Sequence, residues 1–519
     1  MIPPFRLLAA AVLAAGAAAP LPAQTIDTVV VQNRNIFEPP GDAPRLLARV
    51  GDALHVRTRP WVVRRTLFLD QGDPYDSARA VESARALRGL GVFRDVELDT
   101  ARVDGRLGLV VTTADGWSTR PQGSFSTSAG SVTWNAGVVE KNVLGTANAV
   151  QALYQKTPDR SEWELLTHSP GLVLRRASLD LWLLDLSDGR AAYWAYGVPF
   201  YETAARAALV TSGEAGTTRV LSFRDGVVAD SLERRALRFA LSGGIALHAT
   251  DRGYLRLDAF AQLRRETFAP YGGSRPGDSL SFAPGLGLEL GRSRFVVARS
   301  LDQYDRPEDV DVSSRLYVGV WAAPAAFGYG AGRAGVGPAV SAQWGAAWRD
   351  GFAWLHLDAD GVVGASGVDS GRATAAMTVA TQRLARQTLV AHAEGGAARG
   401  IAPGTEFDLW QDLDGPRAYP AHAFTGTRRY WAVVEDRFLV ANDFLGLVGL
   451  GVAPFVEWGG AWYADERPRA AGDAGVALRL GMTRSTRGEV TEIAVARRTG
   501  PAISTGGWAL VVREAVDLR

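Results

Sequence analysis

Tyr254-Leu255-Arg256-Leu257-Asp258-Ala259-Phe260-Ala261-Gln262-Leu263-Arg264 is the stretch that decides the fold. Leu255, Leu257, Ala259, Ala261 and Leu263 alternate with Arg256, Asp258, Phe260, Gln262 and Arg264. A strand sends successive side chains to opposite faces, so this segment has one apolar face and one face bearing full charges. The pattern returns with Leu179, Leu181 and Leu183 against Asp180, Trp182 and Leu184. It returns again with Leu355, Leu357 and Ala359 against His356, Asp358 and Asp360, and with Trp508, Leu510 and Val512 against Ala509, Val511 and Arg513. In a β-sandwich the charged face meets bulk water. In an outer-membrane barrel it meets an aqueous lumen while the apolar face meets lipid. Periodicity alone leaves both open.

Three features favour the barrel. Strand texture runs from residue 117 to residue 519 without helical interruption, too far for one ordinary sandwich. Tyr254, Tyr430, Trp431 and Trp508 sit near strand ends, where aromatic girdles lie. Residues 1–23 read as a secretory signal, with Arg6, an apolar stretch from Leu7 to Ala19, and Leu21-Pro22-Ala23 before Gln24. That stretch is too short to span a bilayer, which weighs against an anchor helix, and no later segment has the ~20 apolar residues of a transmembrane helix. At ~10 residues per strand plus turns, the region holds roughly 16–20 strands, and about sixteen are expected. No repeat of fixed period points to a propeller or solenoid.

Composition removes other classes. Lys+Arg 56 against Asp+Glu 55 gives a net charge of +1, which weighs against a nucleic-acid binder relying on a basic field. Cys 0 rules out disulfides, thiolate metal sites and a cysteine nucleophile. A mean hydropathy of -0.02 is too apolar for disorder and too polar for a helical membrane bundle. The histidines (55, 168, 248, 356, 392 and 422) are scattered, with no His-Glu-x-x-His helix. No Gly-x-Ser-x-Gly elbow leads from a strand into a helix. Asp358, Asp360 and Gly361 lack the closing Glu of a calcium loop and read as a strand end entering a turn. Asp408, Asp412 and Asp414 read as a solvated acidic loop. No catalytic residue, metal or cofactor is expected.

Residues 25–116 mix helix and strand patterns. Ile26 to Val31 is a β-branched strand, followed by a Pro-rich loop with Pro39, Pro40 and Pro44. Thr58 is placed to cap a helix from Trp61 to Leu69. After the turn Gly72-Asp73-Pro74-Tyr75-Asp76, a second helix puts Val81, Ala84, Leu87 and Leu90 on one face and stops at Gly91. Val92 to Leu98 and Leu107 to Thr113 pair across Asp104-Gly105. Strand, helix, helix, strand, strand bury a small core.

His55 through Thr58, Arg64-Arg65, Gly72-Asp73 and Leu87 to Leu90-Gly91-Val92-Phe93-Arg94-Asp95-Val96 give residues 24–116 a resemblance to a single POTRA domain. Residues 117–519 resemble the 16-stranded barrel of the BamA/TamA outer-membrane assembly and translocation superfamily, the bacterial surface antigen family. Glu140-Lys141-Asn142-Val143-Leu144-Gly145-Thr146 is similar to its early-barrel segment. Gly415-Pro416-Arg417-Ala418-Tyr419 looks like its Arg-Gly-aromatic loop motif, with Ala418 in place of the glycine. Glu435-Asp436-Arg437 is similar to its Glu-x-Arg, and Phe455-Val456-Glu457-Trp458-Gly459 to its Phe-x-Asp-x-Gly with Glu for Asp.

The resemblance implies a loop folded back into the lumen and held there by Gly415, Arg417, Tyr419 and Glu457, with Glu435, Arg437, Phe455 and Gly459 extending the network. Arginine's planar fork pairs bidentately with carboxylates, which fits an Arg417–Glu457 pair. Glu435 and Arg437 share a strand face. Gly506-Gly507 opens the last strand and marks either a weak seam or an ordinary hairpin turn. The chain's last residues, Val516-Asp517-Leu518-Arg519, depart from the aromatic ending of many outer-membrane barrels. The implied protein is non-enzymatic. Its barrel crosses the bacterial outer membrane, with the POTRA domain in the periplasm. Its implied partners are outer-membrane lipids, unfolded outer-membrane or secreted clients and a periplasmic accessory protein. The alternatives are a two-partner-secretion-like transporter, a passive pore, or a barrel-embedded hydrolase with a Ser/His pair across strands.

Overall fold

A computed structural model describes residues 24–39, 41, 43–128, 131–270, 280–299, 301–304, 306–329, 334–409, 415–469, 471–486, 490–499 and 507–514. The signal segment 1–23, Asp412, Asp414, Gly506 and the ending Val516–Arg519 lie outside these residues.

Three strands, β1 (Thr28–Arg34), β2 (Phe93–Val103) and β3 (Arg106–Asp115), form a sheet in the order β1-β3-β2. β1 runs parallel to β3 and β2 antiparallel to it. Asp104 and Gly105, both at positive φ, make the hairpin turn expected between β2 and β3. The module has three helices, not two: α1 (Arg45–Leu54) packs apart from the sheet on Phe37, and α2 (Pro60–Thr66) and α3 (Ser77–Gly89) cover the sheet. The sequence reading took the α1 region for loop because its prolines masked a helix that begins directly after Pro44. Thr58 does not cap α2, whose N-cap is Arg59. It is buried, and its backbone N–H donates to Asp115. Asp76 does cap α3, accepting from the N–H groups of Ala78 and Arg79. α3 buries Ala80, Ser83 and Leu87, so Val81 faces outward instead of inward.

The strand region closes into a barrel of twenty antiparallel strands, beginning with β4 (Thr119–Ser128) and β5 (Ser131–Glu140). The expected count of about sixteen is therefore corrected. Many connections are tight turns, such as Asp225-Gly226 and Arg349-Asp350, so the residues that long loops would have used form strands instead. The strand Val227–Ala249 alone has 23 residues. Asp358 and Asp360 lie inside the strand Gly351–Gly364 and not at its end.

The alternation sorts as the physics requires. Leu237, Leu241, Leu257, Leu288, Val318 and Val340 are exposed on the outer wall, the surface a bilayer covers. Arg256, Glu214 and Glu435 are buried in the lumen. The expected aromatic girdle is only half right. Trp508 is exposed, but Trp431 is buried inside and the Tyr254 hydroxyl donates to Glu289 of a neighbouring strand at 2.7 Å.

The lumen is filled on one side. The connection after the strand Gln387–Arg399 folds inward and forms a short hairpin, Phe407–Leu409 with Phe424–Gly426. Its Phe407, Leu409, Tyr419 and Phe424 pack with Trp431, Val433 and Phe455 of the wall. From the opposite end a second hairpin, Phe295–Arg299 with Pro307–Asp311, adds Leu301, Val310 and Val312 to the same cluster. Its Tyr304 lies in a slot left by glycines: a Cβ on Gly449 or Gly481 would approach the ring to 2.1 and 2.4 Å. The other side holds a cavity of about 980 Å³ lined by Gln151, Glu162, Trp182, Tyr193, Glu214 and Arg234, among others.

Candidate functional site

An inward loop has little apolar surface of its own, so it needs polar anchors. Arg417 is the centre of these, and it is buried. Its Nε lies 3.0 Å from Glu457 Oε1, and its backbone N–H donates to Glu457 Oε2 at 2.8 Å. Its Nη2 donates to Glu435 Oε2 at 2.9 Å, and its guanidinium stacks 3.8 Å from the centre of the Phe455 ring. The fork is thus shared between two carboxylates on adjacent strands, Arg428–Phe444 and Val448–Trp462, instead of closing bidentately on one. Burial by itself lowers the Arg417 pKa, but Glu457, Glu492 and Glu435 outweigh it and hold the group above its ordinary value.

Glu435 carries more than the motif implied. Its Oε1 accepts from Arg437 Nε at 2.6 Å and from Arg479 Nη1 at 2.9 Å. Arg437 reaches down to the second hairpin, donating to the Leu301 carbonyl and Asp302, both at 2.7 Å. Arg479 also meets Glu492, and Arg513 of the last strand lies 3.5 Å from Glu492 Oε2. The network therefore runs from the lumen loop across the last strands to the closing edge.

The expected loop and lumen residues other than Gly415 and Gly459 come together around Arg417. Tyr419 is buried and donates to the Gly472 carbonyl at 3.2 Å. Phe455 and Glu457 face inward, while Val456 and Trp458 face outward. Gly459 lies in register with Trp431, away from the ion pairs. Gly415 opens the described part of the loop, and no contact places it at the anchor. Gly507 stands just before the closing strand Trp508–Glu514.

Sequence reading missed Asp302, Asp473, Arg479, Glu492 and His422. Asp473 accepts the Ala418 N–H at 2.7 Å, and Arg498 donates to the Ala418 carbonyl at 2.7 Å. Alternation marks Asp473, Arg479 and Glu492 as lumen-facing, but nothing local singles them out from other lumen charges, and Asp302 and His422 lie in loops with no alternation to place them. His422 sits between Asp159 Oδ2, 2.8 Å from its Nε2, and Asp408, and stacks on Phe223 with ring centres 3.7 Å apart. Asp408 thus contacts a ring instead of standing free in solvent. Burial alone lowers the His422 pKa, but the two carboxylates push it up to about 9.

The early-barrel segment acts as a joint. Asn142 Nδ2 donates to Thr58 Oγ1 at 2.9 Å, its Oδ1 accepts from the Ala147 N–H at 2.8 Å, and the Arg59 N–H donates to the Gly145 carbonyl at 2.9 Å. Gly145, at positive φ, has no room for a Cβ, which would lie 2.4 Å from the Arg57 carbonyl.

The barrel's own seam is its weakest ladder. The strand Trp508–Glu514 pairs with β4 through Leu510–Thr127, Val511–Ser126 and Val512–Phe125 alone among the described residues. Every other barrel seam shows seven or more such pairs.

No family model matches the chain. A curated outer membrane protein assembly factor BamA from Neorickettsia risticii (strain Illinois) is 28% identical over 117 residues, which cover 21% of this chain. The resemblance to the BamA/TamA superfamily is borne out. The match spans only 15% of that BamA's length. Among solved structures, a BamA from Haemophilus ducreyi lacking POTRA domains 1–3 is similar over 93% of this chain and 84% of its own, at 10% identity and a TM-score of 0.42. CdiB from Escherichia coli is similar over 95% and 76%, at 10% identity and a TM-score of 0.47. The BamA likeness and the closed barrel with its apolar outer wall make this an outer-membrane protein.

Proposed function

We propose that the chain assists the insertion or translocation of other proteins at the outer membrane, and that it does so without catalysis, metal or cofactor. The observation carrying this reading is the seam between β4 and Trp508–Glu514, which shows three register pairs among the described residues. Unpaired backbone groups in hydrocarbon cost several kcal/mol each, so a seam this short is a poor closure and a ready template for an incoming strand. Residues 24–116 act as a periplasmic POTRA domain, with 117–519 as the barrel. The edge strand β2 takes an extended client by strand addition, its Glu97, Asp99 and Arg102 guarding the edge against indiscriminate pairing. Strand pairing in lipid is downhill, so no nucleotide is required. The Arg417 network ties the lumen loop to the last five strands and reaches the closing edge through Glu492 and Arg513.

Quantitative proteomics of the outer membrane after depletion of the protein tests this. Broad loss of unrelated barrels is the result expected of an insertion factor, and loss of one secreted or surface protein is that expected of a dedicated transporter. An unchanged proteome contradicts both. The half-empty lumen favours one second reading, a translocation pore gated by the two hairpins.

A further inference from the structure

Helix α1 has a stripe that no described residue covers. Leu46, Leu47, Val50 and Leu54 fall at i, i+1, i+4 and i+8 on one face, and Leu46 and Leu54 are 74% and 71% exposed. Arg45, Arg49 and Asp52 occupy the opposite side. The helix is not loosely tethered. Ala48 and Gly51 are buried against Phe37, where a Cβ on Gly51 would lie 2.6 Å from the ring. Phe37 packs with Trp117 and Leu447. Trp117 is fixed to the barrel rim by backbone hydrogen bonds with Arg484 and Thr486, at 2.6 and 3.0 Å. Leu447 belongs to the rim turn that also exposes Leu445, directly after the exposed Phe444 of a barrel strand. One packed platform therefore ties the helix that bears the stripe to the rim turn where the apolar outer wall ends.

We infer that α1 lies in the interface of the membrane leaflet adjoining the small module, with Leu46, Leu47, Val50 and Leu54 in the acyl boundary and Arg45 and Arg49 at the lipid phosphates. This is the geometry of an interfacial amphipathic helix: a wide apolar face, a charged opposite face and near-zero net hydropathy. The inference takes from the reading above only that the barrel crosses a membrane, and it holds whether or not the protein handles clients. Lipid contact adds to the protein contacts that orient the small module beneath the barrel, among them the joint at Asn142 and Gly145 and the Arg88–Asp309 pair.

The absence of cysteine makes the test direct. Leu46→Cys, Val50→Cys and Leu54→Cys, with Arg49→Cys and Asp52→Cys as controls, are labelled with a polarity-sensitive fluorophore. The full chain is reconstituted in vesicles of phosphatidylethanolamine and phosphatidylglycerol, and folding is verified by heat-dependent gel mobility. Brominated lipid is expected to quench labels at 46, 50 and 54 several-fold more than those at 49 and 52. Equal quenching at all positions overturns the inference. So does shielding of 46, 50 and 54 from both brominated lipid and an aqueous quencher, which marks a protein partner or second copy. A variant that fails the mobility check is replaced by Leu47→Cys on the same stripe.

Discussion

Glu435 accepts from Arg417, Arg437 and Arg479 in a buried site, so its removal takes one carboxylate from three guanidiniums at once. Breaking one partner of a buried ion pair costs about 3–5 kcal/mol, and Glu435→Ala is expected at or above that range in urea unfolding of the refolded protein. Arg417→Ala and Glu457→Ala each destabilise, but the double variant loses less than the sum of the two, because the second change removes a charge already unpaired. Additive losses count against the pairing. His422 gives a pH signature. Its folded pKa of about 9 lies above the ordinary 6.5, so the clamp to Asp159 and Asp408 is complete below pH 6.5 and is lost as pH rises through about 9. Protease cutting of the lumen loop is expected to rise between those values in the native protein, and His422→Gln should cut alike at both. At this scale the sequence was partly legible. Arg417, Glu435 and Glu457 could be found from short motifs, whereas Asp473 and Glu492 could not, since a lumen charge looks the same in sequence whether it is paired or solvated.

The strand is the element the sequence describes best, because a period of two leaves no doubt about faces. Leu257→Arg places a cation against lipid, at about 2–4 kcal/mol at the bilayer midplane, and should block assembly measured by heat-dependent mobility. Asp258→Arg on the lumen face should be tolerated. The hairpin at Phe295–Arg299 and Pro307–Asp311 was invisible, because its residues pattern like any other strand pair. It holds Arg437 through Asp302, and α3 grips it from below: Arg88 makes a two-pronged pair with Asp309 at 2.6 and 2.8 Å, and Arg85 stacks on Phe295 at 3.7 Å. Deleting 294–312 is expected to raise single-channel conductance in planar bilayers. Unchanged conductance would show that this hairpin does not obstruct the lumen. Helix α1 was missed because Pro39, Pro40 and Pro44 read as loop, although Leu46, Leu47, Val50 and Leu54 carry a helical period.

For the whole molecule, strand texture found a barrel but undercounted its strands, since the number that close a barrel depends on how short the turns are. The seam was not readable at all, because pairing between the first and last strands is the longest-range contact in the barrel. It is also where the account is most exposed. Ser126 and Val511 are register partners across the seam, and Val340 and Ala359 are partners within an ordinary one. Ser126→Cys with Val511→Cys, and the control Val340→Cys with Ala359→Cys, would each replace the native protein in depleted cells. Outer-membrane content is then measured under oxidising and reducing conditions. The account predicts that oxidation of the seam pair reproduces depletion and that reductant reverses it, while the control pair has no effect. Full outer-membrane content with the seam locked would contradict it.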